Sequence, residues 1–221
     1  MARASGGLRA AGRDRGPPES GHAKYTDAAA PPAAARRECS GRWRVAGGRP
    51  GPDNAGMAKA LFRFDGEGAV AAWSAIDDGV MGGLSRSRLA FDPQGHALFE
   101  GVVSLANNGG FASVRSAPRD LGAAGATGYA LEVRGDGRRY KLNLRTDDGF
   151  DGINYQAAFV PPAGTWTVVR LPLAAFRPTF RGRVVAGAAP LDPARVRQAG
   201  LMIADGAAGP FALAVRALDA D

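Results

Sequence analysis

The chain reads as an all-β protein, a sandwich of short strands carrying one or two short helices, and three observations predict this. Most segments after Met57 alternate apolar and other residues with a period of two. Turn residues punctuate them roughly every 8–12 positions, the spacing of sandwiches and barrels. No repeating helical unit separates the strands, which argues against a doubly wound α/β fold.

The elements follow in order. Patterned sequence begins at Ala60-Leu61-Phe62-Arg63-Phe64. Glu67 to Ala72 reads as a short helix leading into Trp73. Leu98 to Leu105 is β-rich, and Tyr129 to Arg134 alternates before turning at Gly135-Asp136-Gly137. Tyr140 to Thr146 alternates again, which places Lys141, Asn143 and Arg145 on one face. Ile153–Phe159, Thr165–Leu171, Gly200–Ala204 and Phe211–Leu218 complete the strands. A second helix is expected over Asp192–Gly200, with Asp192 as N-cap, Pro193 at the first helical position and Gly200 as the stop.

Of the 221 residues, 45% are hydrophobic, enough for one core. The net charge of +7 is concentrated at the start. Residues 1–57 hold ten Lys/Arg against five acids, whereas the rest of the chain holds 18 basic and 16 acidic residues. The folded part therefore offers little net attraction to phosphates, and no nucleic-acid partner is expected. Residues 1–57 are rich in Arg, Ala, Gly and Pro and show no sustained period. Such a segment cannot offset its ordering entropy, so it is predicted to be a disordered tail preceding a domain at 58–221. The first reading of this segment is that Met57 is the true start; an Arg-rich targeting segment and a native tail are the alternatives. The single Cys39 lies in the tail, so no disulfide forms within the chain. No apolar run approaches the roughly 18–20 residues of a membrane-spanning helix.

Two glycine-rich runs carry the strongest local signals. Asp77-Asp78-Gly79-Val80-Met81-Gly82-Gly83-Leu84-Ser85 follows Trp73, and Asn107-Asn108-Gly109-Gly110-Phe111 follows Leu98–Leu105. Gly79, Gly82, Gly83, Gly109 and Gly110 are expected to be structural, at positive φ or at close backbone approach. Asp78 either caps its turn through nearby N–H groups or acts at a binding rim. Asn143, Arg145, Asn154 and Gln156 alternate along successive strands and would line one sheet face if those strands pair. The candidate binding set is Asp78, Asn107, Asn108, Arg145, Gln156 and Arg181, because Arg offers a rigid donor fork and Asn/Gln offer both donor and acceptor. The competing reading leaves Asp and Asn bracing turns and pairs Arg181 with an acid such as Asp205.

Catalytic patterns fail one by one. His22 and His96 form no zinc cluster with cysteine. Asp147-Asp148-Gly149-Phe150-Asp151-Gly152 departs from a calcium loop at its third position and again at Ala158, so a solvated turn is expected. No Gly-x-Ser-x-Gly elbow, phosphate loop or dinucleotide fingerprint is present. No metal, cofactor or catalytic residue is expected.

The ordered marks resemble the complex I intermediate-associated protein family, the thirty-kilodalton assembly factor and its bacterial relatives. They are Trp73 with Asp77–Ser85, Phe99-Glu100-Gly101 with Asn107–Phe111, and Arg134–Tyr140. Trp166 with Leu171-Pro172, Phe176-Arg177-Pro178 with Arg181-Gly182-Arg183, and Gly209-Pro210-Phe211 complete them. The resemblance covers about Leu61 to Asp219. It implies a galactose-binding-like jelly roll and a non-catalytic, chaperone-like role in assembling respiratory NADH:ubiquinone oxidoreductase. The implied partner is a protein assembly intermediate, and the setting is a bacterial cytoplasm or, alternatively, the mitochondrial matrix. A carbohydrate- or small-polar-ligand-binding module is the alternative function, since the same sandwich serves both.

Removing residues 1–56 should leave the melting temperature within a degree or two of the full chain. A clearly lower value in differential scanning calorimetry would show that the segment packs on the domain.

Overall fold

Alternating side chains need two apolar faces to meet, and thirteen strands among the described residues provide them. The computed structural model describes residues 58–221. The expected disordered tail at 1–57 lies outside the described residues. In chain order the strands are β1 Lys59–Arg63, β2 Trp73–Ala75, β3 Arg86–Asp92, β4 His96–Val103, β5 Ala112–Ser116, β6 Gly128–Arg134 and β7 Tyr140–Arg145. They continue with β8 Asn154–Phe159, β9 Thr167–Pro172, β10 Arg177–Phe180, β11 Arg183–Val184, β12 Gln198–Ile203 and β13 Gly209–Ala220. One sheet runs β3-β4-β13-β6-β9, with β1 also pairing β13. The other runs β11-β10-β8-β7-β12-β5-β2. The strand pairs of both sheets are antiparallel. The galactose-binding-like β-sandwich expected from the sequence is the fold that forms.

The core lies between the sheets. Tyr140, Leu142 and Leu144 of β7 face Phe99 of β4, Leu131 and Val133 of β6, and Phe211, Leu213 and Val215 of β13. Phe99 packs on Phe211 at 4.9 Å between centroids and reaches Tyr140 across the sandwich at 6.3 Å. Aromatic pairs at such separations add stabilisation beyond their buried area. The Tyr140 hydroxyl donates to Asp136 at 2.9 Å, and the same carboxylate accepts the N–H of Ala212 at 3.0 Å. Burial, and then the Asp136 charge, push the Tyr140 phenol well above its ordinary value. Arg138, two residues after Asp136, grips Asp205 through both carboxylate oxygens at 2.8 and 2.9 Å. It also donates to the carbonyl oxygens of Ala207, Gly209 and Pro210. The Gly135–Tyr140 mark thus ties the β6–β7 turn to the entry of β13.

The helices differ from expectation. Glu67–Ala69 and Pro193–Arg195 are single 3-10 turns. Asp192 does cap the second, accepting the N–H of Ala194 at 3.0 Å, and Pro193 follows it. The chain then becomes extended at Val196, and Gln198–Gly200 enter β12. This strand pairs with β5 on one side and β7 on the other. Two ladders of backbone hydrogen bonds outweigh a helix that would bury neither edge. Gly200 is therefore not a helix stop but a close-packing point, where a Cβ would lie 2.8 Å from the Val114 carbonyl oxygen.

Gly101 of β4 shows the tightest approach between neighbouring strands. A Cβ there would lie 2.0 Å from the Arg86 carbonyl oxygen and 2.9 Å from Ser87 Cα. Gly101→Ala should destabilise the domain by about 1–3 kcal/mol, the usual cost of overpacking. Urea unfolding with an unchanged m-value would register it.

Candidate functional site

The two glycine runs meet around one carboxylate. Asp78 begins a 3-10 turn over Asp78–Met81 and is fully buried. One of its oxygens, Oδ1, accepts the Ser85 N–H at 2.9 Å. The other, Oδ2, accepts the Ser85 hydroxyl at 2.6 Å, the Gly110 N–H at 2.7 Å and the Phe111 N–H at 3.3 Å. Burial pushes the Asp78 carboxyl up, but the bonds from Ser85, Gly110 and Phe111 outweigh it and hold the group below the usual carboxylate range. The carboxylate therefore stays ionised and bridges the runs.

The glycines divide by role. Gly82 and Gly110 take positive φ, at 86° and 132°. Gly83 and Gly109 are needed for a different reason. A Cβ on Gly83 would lie 2.3 Å from Asp78 Oδ1, and one on Gly109 would lie 2.6 Å from Oδ2. Gly79 shows neither constraint. Asn107 and Asn108 both adopt left-handed backbone, with φ of 54° and 58°, which Asn tolerates better than most residues. Asn107 donates through Nδ2 to the Gly82 carbonyl at 3.2 Å, a second tie between the runs.

Asp77 points elsewhere. Its carboxylate accepts the Ser87 N–H and hydroxyl at 2.8 and 2.6 Å and the Ser113 N–H at 2.9 Å. The two neighbouring aspartates thus serve separate sites, Asp77 from extended backbone and Asp78 from the first residue of the 3-10 turn.

A third loop completes the rim. Asp147–Gly152 joins β7 to β8, and each of its carboxylates meets an arginine. Arg145 pairs with Asp147 at 2.8 Å, Arg197 with Asp148 at 2.7 Å and Arg181 with Asp151 at 2.8 Å. Arg181 therefore pairs with Asp151, while Asp205 belongs to Arg138. Arg181 and Gly182, at φ 48° and 76°, form the two-residue turn between β10 and β11. Arg115 and Arg145 both donate to the Phe150 carbonyl oxygen at 3.1 Å, and the Arg115 guanidinium lies 5.0 Å from the Phe150 ring centroid.

These anchors hold apolar side chains out in solvent. Phe150 is 69% exposed, Met81 65%, Leu84 56% and Leu105 49%. Leu84 and Phe150 line one depression of about 380 Å³ together with Ile76, Asp77 and Arg86. None of the four was singled out by sequence reasoning. The available signal was a large apolar residue inside a glycine-rich or acidic turn, where no strand period could bury it.

The predicted binding residues occupy four places. Asn107 and Asn108 stand exposed on the rim. Asp78 and Arg145 lie buried beneath it, acting on the loops rather than on solvent. Gln156 lies half-buried on the outer face of the seven-stranded sheet, opposite Asn143 of β7, and Arg181 stands at the tip of the β10–β11 turn. No group of three or more metal-ligating side chains occurs among the described residues.

Residues 62–215 match the family described as Complex I intermediate-associated protein 30 (CIA30). A mitochondrial protein of Drosophila melanogaster with that name is 28% identical over 184 residues, covering 72% of this chain and 62% of the fly protein. The chain thus spans less than two thirds of that relative. An uncharacterized protein of Schizosaccharomyces pombe is 30% identical over 146 residues, covering 58% of this chain and 67% of the yeast protein. Among solved structures, the family 11 carbohydrate-binding module of a Clostridium thermocellum cellulase superposes with a TM-score of 0.55 at 15% identity, over 74% of this chain and 93% of the module. The same type of module in complex with a β-1,3-1,4-mixed-linked tetrasaccharide gives 0.53 at 16% identity, over 74% and 94%. At such identities the likeness shows the fold alone.

Asp78→Asn places an amide donor among four donors and should cost about 2–3 kcal/mol, or roughly 5–10 °C in melting temperature. The sign with pH follows from the lowered Asp78 carboxyl. Its contribution is complete above the ordinary value of 3.8 and is lost as pH falls through the folded value. The gap between native protein and Asp78→Asn should therefore narrow below about pH 4, measured by urea unfolding at stepped pH.

Proposed function

The chain belongs to the complex I intermediate-associated protein 30 family, and from that premise we propose that it is a non-catalytic assembly factor that binds a protein intermediate of respiratory complex I through its loop rim. The observation that carries this reading is the set of four large apolar side chains, Met81, Leu84, Leu105 and Phe150, exposed on loops fixed from beneath. Leu84 and Phe150 line one depression, and exposed apolar groups brought together in a polar surround favour a protein partner. Preorganised loops also lose less entropy on docking. Asn107 and Asn108 add polar contacts beside the apolar groups, in the manner of a polar rim. The buried carboxylate here is saturated with hydrogen bonds and held ionised, the opposite of a group poised to exchange protons near neutrality.

Carbohydrate binding, the second reading, draws on the polar outer face of the seven-stranded sheet, where Asn143, Asn154 and Gln156 lie. Among the described residues, the strand positions on that face with Asn143 carry no aromatic side chain for a sugar ring to pack on. The rim offers Phe150 alone among its exposed large apolar groups as an aromatic.

Leu84→Ser and Phe150→Ser remove exposed apolar area without touching the core. Each should keep the native melting temperature within about 2 °C, as surface changes usually do. Recovery of complex I subunits with the tagged protein should fall at least severalfold, read by quantitative mass spectrometry. Unchanged recovery for both variants would remove the rim from the interface.

A further inference from the structure

The outer face of the seven-stranded sheet carries cations with no acid among them. Its strands contribute Arg115, Lys141, Arg145 and Arg177 to this face, and none of the strands' described residues is Asp or Glu. The registers place Arg177, Gln156, Asn143, Gly200 and Arg115 in one row across five strands. Lys141 stands two residues before Asn143, on the same face. With strands about 4.8 Å apart, Arg177 and Arg115 are separated by about 19 Å, the reach of about six extended residues.

Several of these groups are under-used. Arg145 and Asn143 are more than nine-tenths buried, yet Arg145 Nε and Asn143 Oδ1 find no hydrogen-bond partner among the described residues. The Asn154 Oδ1 atom is likewise unpartnered. Like charges crowd here too. Burial, and then Arg145, hold the Arg115 guanidinium below its ordinary value, and burial, and then Arg139, do the same to the Lys141 ammonium. Unpaired buried polar atoms and crowded like charges are both costly, even with Asp147 and Asp151 offsetting part of the charge at Arg115, and a suitable ligand would relieve them.

The face already grips one acidic peptide, its own Asp147–Gly152 loop. Arg145 takes a carboxylate of that loop. Arg115 and Arg145 take the Phe150 carbonyl, and Gln198 Nε2 takes the carbonyls of Asp147 and Gly149 at 2.7 and 3.2 Å. Side chains that recognise both carboxylate and main chain continue along the row as Asn143, which is buried, Gln156, which is half-buried, and Arg177, which is exposed.

We propose that this face binds an extended acidic polypeptide segment, laid across the strands with carboxylates about six residues apart on Arg115 and Arg177. Arginine suits carboxylates through its planar fork, and Asn/Gln amides suit a peptide backbone by donating and accepting at once. A polyphosphate supplies acceptors only and leaves Asn143 Oδ1 and Asn154 Oδ1 unmet. The proposal rests on the protein-binding reading for the class of ligand, but it uses a surface distinct from the rim.

The test is a fluorescence-anisotropy titration of the full chain with a labelled twelve-residue Ala/Ser peptide bearing two glutamates six residues apart. Saturable binding is expected at low salt, about tenfold weaker for the glutamine version of the peptide. Arg177→Gln and Lys141→Gln should each weaken it at least about fivefold. Arg88→Gln, which removes the same charge from the six-stranded sheet, should change it less than twofold. That contrast separates a site from general attraction to a basic chain. Absence of saturable binding, equal loss with Arg88→Gln, or tighter competition by oligogalacturonate or polyphosphate would each overturn the proposal. Leu84→Ser should leave this titration unchanged, so failure here and failure of the rim in complex I recovery are separate results.

Discussion

One buried carboxylate organises the loop end of this sandwich. Asp78 gathers the N–H groups of Ser85, Gly110 and Phe111 and the Ser85 hydroxyl, drawing together positions up to 33 residues apart. A fully buried charge is tolerable only when saturated in this way. The constraint spreads outward from it. Gly83 and Gly109 must lack side chains because the carboxylate occupies the space a Cβ would take. Gly82 and Gly110 must take positive φ so that the chain can turn around it. The exposed Met81, Leu84 and Leu105 are held in place by the same arrangement.

Charge is distributed in a second pattern that the net value conceals. The six-stranded sheet mixes signs, with pairs such as Arg88–Glu100 and Arg216–Glu132. The charged side chains on the strands of the seven-stranded sheet are all cations, and the acids that pair with Arg145, Arg181 and Arg197 beside it come from the Asp147–Gly152 loop. Three arginines from three different segments hold that loop. A stretch that faintly resembles a calcium loop is in fact an internal acidic peptide bound by guanidinium groups. One of these arginines, Arg145, together with Arg115, holds the Phe150 carbonyl, so loop electrostatics and the apolar rim are coupled.

The family's marks consequently acquire physical meanings. Asp77–Ser85 and Asn107–Phe111 are two halves of one clasp. Arg134–Tyr140 supplies Asp136 to Tyr140 and to the backbone of Ala212, and supplies Arg138 to the chain between Asp205 and Pro210. Arg181-Gly182 forms a tight turn, and Arg181 anchors the acidic loop. These are positioning residues, which accords with an assembly role in which the surface they present, rather than a reacting group, does the binding.

The fold class and the alternation of β7 were legible in the residues alone, because a period of two is written between residues i and i+2 and needs no distant partner, and the family was legible in the ordered motifs from Trp73 to Phe211. The sequence also narrowed Asp78 to two roles and marked the glycines as structural. Tertiary structure decided between the roles, since Ser85, Gly110 and Phe111 converge on Asp78 only once the two runs lie side by side. It replaced the helix expected over 192–200 with one turn and a central strand, because β5 and β7 offered hydrogen bonds that a local reading cannot count. It assigned Asp151 to Arg181 and Asp205 to Arg138. It also left Leu84 and Phe150 in solvent. Each of these outcomes depends on which strands become neighbours and in what register, and long-range pairing of that kind is set by the packing of the whole sandwich rather than by any stretch of its chain.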